Sequence, residues 1–235
     1  MAILTTSSPI CLALDTSDES QLRHLAEVTA PSVGVYKIGL TTIHSIGPRL
    51  VPALARLKPV FADAKLHDIP VQVEGATRVI GAAGASFVTV HASGGHEMVR
   101  AAAHVSGENL NVLAVTILTS LDERGLARIG IEGSMGDAVL RLSQLALGAG
   151  ADGLVCSPNE VGRLRSEFGT VREGGPMLVV PGIRPVGAEV DDQKRTLGPR
   201  EAVAAGADLI VVGRPITEAE DPAAAARAIN DEVGS

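Results

Sequence analysis

Three charged residues stand close together in "FADAKLHDIP" (61–70), where an apolar run would ordinarily just end: Asp63, Lys65 and Asp68. Carboxylates beside an ammonium can move protons or stabilise charge that develops during a reaction, and such clusters collect in clefts. Asp63 and Lys65 are two residues apart, so on an extended strand both side chains point to one side and that of Ala64 points away. A purely structural ion network would use the same residues. More charge falls at the ends of other apolar runs: Asp15 closes "LALD" (12–15), Lys37 lies in "YKIG" (36–39), and Arg214 follows "LIVVG" (209–213). A second ammonium, Lys37, tilts the balance toward chemistry.

Positioning these residues requires elements that end near one another. Eight short apolar runs recur, at 9–15, 33–39, 59–65, 86–92, 111–119, 152–157, 176–182 and 208–214, and each reads as a buried strand. Between them lie segments of helical period, such as "GDAVLRLSQLALGAG" (136–150), whose Val139, Leu142 and Leu145/Ala146 mark one apolar face. The triplets "GAS" (84–86), "GAD" (150–152) and "GAD" (206–208) each precede a strand, where glycine suits a helix end that turns the chain back. Eight β-α units in 235 residues predict an α/β fold, a single-domain (β/α)8 TIM barrel over 1–235. A doubly wound open sheet is the alternative, since periodicity does not show closure. In a barrel, the C-terminal strand ends gather at one mouth, and the charged residues fall there.

Composition agrees. Hydrophobic residues make up 46% of the chain, but with three Phe, one Tyr and no Trp the core must be aliphatic, as suits parallel strands covered by helices. A formal net charge of −7 argues against a broad surface for nucleic acid or an acidic membrane, yet leaves room for a small anion at a locally positive cleft. Cys11 and Cys156 form no disulfide or zinc pattern and read as small strand residues. Neither a signal peptide nor a run of about 18 apolar residues is present, which predicts a cytoplasmic protein. His91 and His96, five apart, do not make a metal pair, and His91 is expected to line the mouth. No G-x-S-x-G, Walker A or G-x-G-x-x-G motif supports a hydrolase or nucleotide-fold reading.

Two further stretches suit an anion. In "VVGRPI" (211–216), Gly213 permits close backbone approach and the following helix start offers N–H groups, where barrels often hold phosphate. "PGIRPVGAEVDDQKR" (181–195) is a Gly/Pro-punctuated polar loop, long enough to carry Arg184 or Gln193 to a ligand as a lid, or to be surface loop alone.

With these residues assembled, nearly the whole chain resembles the orotidine 5′-phosphate decarboxylase family. "LALD", "YKIG", "DAKLHDIP" (63–70), "VTILTS" (115–120), "PGIR" (181–184), "DDQKR" (191–195) and "IVVGRPIT" (210–217) are similar to the family's motifs in order, most specifically in D-x-K-x-x-D-I-P. The resemblance implies a homodimeric barrel that decarboxylates orotidine 5′-monophosphate to UMP with no metal or organic cofactor. It implies Lys65 as proton donor, Asp63 beside the substrate carboxylate, Lys37 in the charge array and at the ribose, and Asp68 reaching the partner subunit's site. Asp15 would bind ribose hydroxyls, Thr119 and Ser120 would meet the pyrimidine, and Arg184, Gln193, Gly213 and Arg214 would hold the phosphate. Many relatives have Thr two residues after the Pro of D-I-P; here Val71 is followed by Gln72, which keeps hydrogen-bonding capacity and stands as a binding candidate. Sugar-phosphate decarboxylases and aldolases of the same superfamily share D-x-K-x-x-D but resemble magnesium enzymes; D-I-P and "DDQKR" favour the nucleotide. A silent phosphate-ligand binding protein would be expected to lack one of Lys37, Asp63, Lys65 and Asp68.

Overall fold

The computed structural model describes residues 6, 8–107, 109–184 and 197–234. Among them, β1 (Ile10–Ala13), β2 (Val35–Ile38), β3 (Val60–Leu66), β4 (Phe87–His91), β5 (Asn111–Val115), β6 (Gly153–Val155), β7 (Met177–Val180) and β8 (Leu209–Val212) are all parallel and follow chain order around a closed barrel. Pairing of β1 with both β2 and β8 closes it, which rules out the open sheet. Helices α1 (Glu19–Thr29), α2 (Leu40–Ser45), α3 (Val51–Leu54), α4 (Pro70–Ala82), α5 (His96–Val105), α6 (Glu123–Arg128), α7 (Met135–Gly148), α8 (Val161–Phe168), α9 (Pro199–Ala204), α10 (Arg214–Thr217) and α11 (Pro222–Gly234) make the connections. None of them is long and apolar enough to cross a membrane.

Each predicted run coincides with a strand, usually a shorter one, though β3 passes its predicted end by one residue, to Leu66. The run 111–119 is strand only to Val115: the Thr116 N–H makes the last ladder bond, to the Val155 carbonyl at 3.2 Å, and its hydroxyl donates to the same oxygen at 3.1 Å.

Alternation along the strands divides the core. Cys11, Val35, Phe61, Phe87, Leu113 and Val179 point into the barrel, while neighbours such as Leu12, Tyr36, Ala62, Val88 and Leu178 pack outward under the helices. Two of the three phenylalanines, Phe61 and Phe87, meet edge to face at 6.2 Å inside the barrel. On α7 the buried face is Ala138, Val139, Ser143 and Ala146, with Leu142 and Leu145 only half-buried; Ser143 can be buried because its hydroxyl donates to the Val139 carbonyl at 2.8 Å.

The repeated triplets make equivalent turns. Gly84, Gly150 and Gly206 have φ of +94°, +96° and +110°, and the alanine after each donates its N–H back to the helix: Ala85 to Ile80, Ala151 to Ala146, Ala207 to Ala202. This is the Schellman arrangement, in which only glycine takes the left-handed position without strain. In the two "GAD" copies the aspartate then anchors the preceding strand's neighbour, Asp152 accepting the Val112 N–H and Asp208 the Leu178 N–H, each at 2.7 Å.

Candidate active site

Four charged side chains from three adjacent strands form a chain of alternating sign at the barrel mouth. Lys37, on β2 and 6% exposed, sets its Nζ 2.9 Å from Asp15 Oδ2 and 3.6 Å from Asp63 Oδ2. Lys65 Nζ lies 2.7 Å from the same Asp63 oxygen. Burial opposes the Lys37 charge, but Asp63 and Asp15 together outweigh it and hold its pKa above the ordinary lysine value. Burial likewise opposes the Asp63 charge; Lys37 and Lys65 overcome it, and the carboxyl sits below the ordinary aspartate value. Both groups are therefore ionised around neutral pH.

Asp15 is held by backbone and by a buried threonine. Its Oδ1 accepts the Gly39 N–H at 2.8 Å, and Thr42 fixes the loop on either side, accepting the Thr16 N–H (3.2 Å) and donating to the Leu14 carbonyl (2.7 Å). Gly39 has to be small: a Cβ there would sit 2.4 Å from Asp15 Oδ1.

Asp63 and Lys65 do reach the same side, but not because β3 stays extended. Ala62 pairs with Val88 and Leu66 with Val90, so Asp63, Ala64 and Lys65 together face Thr89 across a bulge. Lys65 takes φ +47°, the one non-glycine residue described with positive φ. Thr89, fully buried on β4, accepts the Lys65 N–H and donates to Asp63 Oδ1, each at 2.9 Å. Sequence reasoning missed Thr89 and Thr42; the available signal for Thr89 was its inward position in "SFVTVHA", next to the strand that carries Asp63.

A cavity of about 720 Å³ opens over this array, within the range of small-ligand sites. Asp15, Lys37, Asp63 and Lys65 line it, as do Thr119 and Ser120 in the loop after β5. Arg184 after β7, and Gly213 and Arg214 after β8, line it too. β3 and β7 are four strands apart in an eight-stranded ring, so Arg184 stands across the mouth from Asp63 and Lys65, whereas β8 pairs with β1 and brings Gly213 and Arg214 to the side of the ring that carries Asp15. Phe61, Val115, Ile117 and Val155 give it an apolar base, and Cys156 borders it as well.

Not every predicted residue comes to this cavity. Asp68 and Gln72 are exposed and do not line it, and Asp68 spends one oxygen on the Ile69 N–H at 2.6 Å. His91 does not line it either; its ring packs against His67 at 5.4 Å, and burial, then His67 and Lys65, hold its pKa below the usual histidine value. Gln193 lies outside the described residues. The two ends of its loop are drawn together by Arg184 N–H to the Leu197 carbonyl at 3.0 Å.

Residues 8–229 match the model of the Orotidine 5'-phosphate decarboxylase / HUMPS family. The chain belongs to that family. It is 54% identical over 224 residues to the orotidine 5'-phosphate decarboxylase of Anaeromyxobacter sp. (strain K), covering 95% of this chain and 97% of that protein. Against the enzyme of the same name from Thermobifida fusca the identity is 47% over 229 residues, covering 97% and 96%. A crystal structure of orotidine 5'-phosphate decarboxylase from Lactobacillus acidophilus superposes with a TM-score of 0.83 at 33% identity, covering 97% of this chain and all of that one.

Proposed function

We propose that this chain decarboxylates orotidine 5′-monophosphate to UMP, the closing step of pyrimidine nucleotide synthesis, as one barrel domain working in the cytoplasm. The observation that carries the reading is the alternating Asp15, Lys37, Asp63, Lys65 array sharing one cavity with Arg184 and Arg214, in a chain of this family. Loss of CO2 from C6 of the pyrimidine leaves a carbanion-like centre. An ammonium fixed beside it stabilises charge that develops only in the transition state, and Lys65 then delivers the proton to C6.

Asp63 is ionised and buried, so a substrate carboxylate brought near it is repelled, by about 4 kcal/mol at 4 Å with an effective dielectric near 20. That repulsion is relieved as CO2 leaves. Holding the substrate against it needs binding energy from elsewhere, which Arg184, Gln193, Gly213 and Arg214 supply at the phosphate. Asp15 and Lys37 take the ribose, and Thr119 and Ser120 the pyrimidine. No metal or organic cofactor enters this scheme. Purified protein should convert orotidine 5′-monophosphate to UMP after exhaustive EDTA treatment; activity only with added magnesium, or only on a sugar phosphate, overturns the reading.

Asp68 acts in the same reading from a second subunit, and Gln72 stays a binding candidate beside it. Asp68 and Gln72 are exposed, and between them Ile69 and Val71 expose 60% and 65% of their surface, an apolar patch that suits burial against another copy of the chain. Mixing Lys65→Ala with Asp68→Ala protein under subunit exchange then yields a heterodimer with both lesions in one pocket and neither in the other. Activity should reappear from two nearly inactive parents; none, with exchange confirmed by mass, removes Asp68 from the partner's pocket.

A further inference from the structure

Thr89 occupies an unusual place in the barrel wall. Around the bulge, the Lys65 N–H donates to the Thr89 hydroxyl at 2.9 Å. That hydroxyl has a single hydrogen, and with an incoming N–H on its oxygen the hydrogen goes to Asp63 Oδ1. Asp63 Oδ2 in turn accepts from Lys65 Nζ at 2.7 Å. A closed ring results, running from the Lys65 backbone through Thr89 and Asp63 to the Lys65 ammonium, so one hydroxyl ties both ends of the same lysine.

We propose that Thr89 is a positioning residue for Lys65: its hydroxyl holds the left-handed backbone turn that directs the ammonium into the cavity, and orients the Asp63 carboxylate that steadies it. The inference rests on the decarboxylase reading for its consequence in catalysis, though the anchor itself exists in the ligand-free protein. Left-handed backbone at a residue with a Cβ is strained and persists only where the surroundings impose it. Among the described residues, the Thr89 hydroxyl is the hydrogen-bond partner that meets the Lys65 N–H. Neighbouring Val88 and Val90 point to the outer layer and offer no such group.

Thr89→Val keeps the shape and removes the hydroxyl. It should lower kcat about 10- to 100-fold, because hydrogen bonds to charged and strained groups are lost, while UMP affinity, measured by calorimetry, changes less than about threefold. Thr89→Ser restores the hydroxyl and should recover most of the loss. The Thr89 bond favours the ionised form of Asp63, so its removal should also move the acid limb of kcat/KM toward neutral pH. In ligand-free protein, exchange of the Lys65 amide should be faster in Thr89→Val than in the parent. A folded Thr89→Val with parental kcat, or one whose Lys65 amide stays fully protected, overturns the proposal, as does serine failing as badly as valine. If valine is not accommodated, Thr89→Ala carries the same tests with the same outcomes. A parent protein inactive on orotidine 5′-monophosphate would instead sink the decarboxylase reading, and the amide measurement would still judge the anchor.

Discussion

Both ends of the barrel hold partly or wholly buried charge, and they use it in opposite ways. At the N-terminal end, Arg165 of α8 pairs with Asp208 and donates to the carbonyls of Gly206 (2.7 Å), Gly169 (3.0 Å) and Pro176 (2.8 Å). Asp208 also takes the Leu178 N–H at 2.7 Å. Every one of these bonds ends on a turn or a strand start, so the pair locks backbone to backbone. At the C-terminal end, Lys37 and Lys65 bond only to carboxylates among the described contacts, and the whole array borders a cavity. Charge bonded to backbone is structure; charge bonded to charge beside an opening is available to a substrate whose own charge changes.

Breaking one end should leave the other working. Lys65→Ala is expected to lower kcat by about 10³-fold or more with UMP still bound, because it removes a contact made in the transition state and leaves the phosphate grip. Unfolding midpoints in urea should move less than in Arg165→Met, since the buried Asp63 keeps Lys37 at 3.6 Å and its bond from Thr89 when Lys65 is gone. Arg165→Met does the reverse. It leaves Asp208 without its partner and three carbonyls without a donor, at a cost of about 3 kcal/mol in stability, while kcat per folded molecule stays near the parent value. A collapse of Lys65→Ala, or a loss of kcat without loss of stability in Arg165→Met, would erase the distinction between the two ends.

That distinction was only half legible in the sequence. The eight strands were, because strands covered on both faces must be continuous apolar runs, and the mouth charges were, because Asp15, Lys37, Asp63 and Lys65 interrupt or end such runs. Even the turn glycines announced themselves by repetition. Arg165 did not: three of its acceptors are backbone carbonyls, which carry no residue-type signal, and its carboxylate partner Asp208 is 43 residues away. The bulge at Lys65 was hidden for a related reason. Nothing in "DAK" marks a left-handed lysine, and the acceptor that fixes it depends on the register between β3 and β4. Asp68 and Gln72 show another limit: motif position groups them with the site, yet both are exposed and outside the cavity.

The smallest test sharpens the account of the N-terminal end, through two glycines with the same backbone role. Gly84 has φ +94° and no atom within 4 Å of where a Cβ would stand, so Gly84→Ala should cost only the left-handed penalty, about 1 to 2 kcal/mol. Gly206 has φ +110°, and its added Cβ would lie 2.6 Å from Arg165 Cγ. Alanine there must meet the same backbone penalty and also displace an arginine whose other bonds run to Gly169, Pro176 and Asp208. The difference between the two variants should therefore be about 1 to 3 kcal/mol in urea unfolding, as for overpacking in a core. Turnover should be unchanged in both, because neither glycine borders the cavity. Equal costs would mean that Arg165 shifts freely, and a side chain that shifts freely cannot be what locks the turns at this end of the barrel.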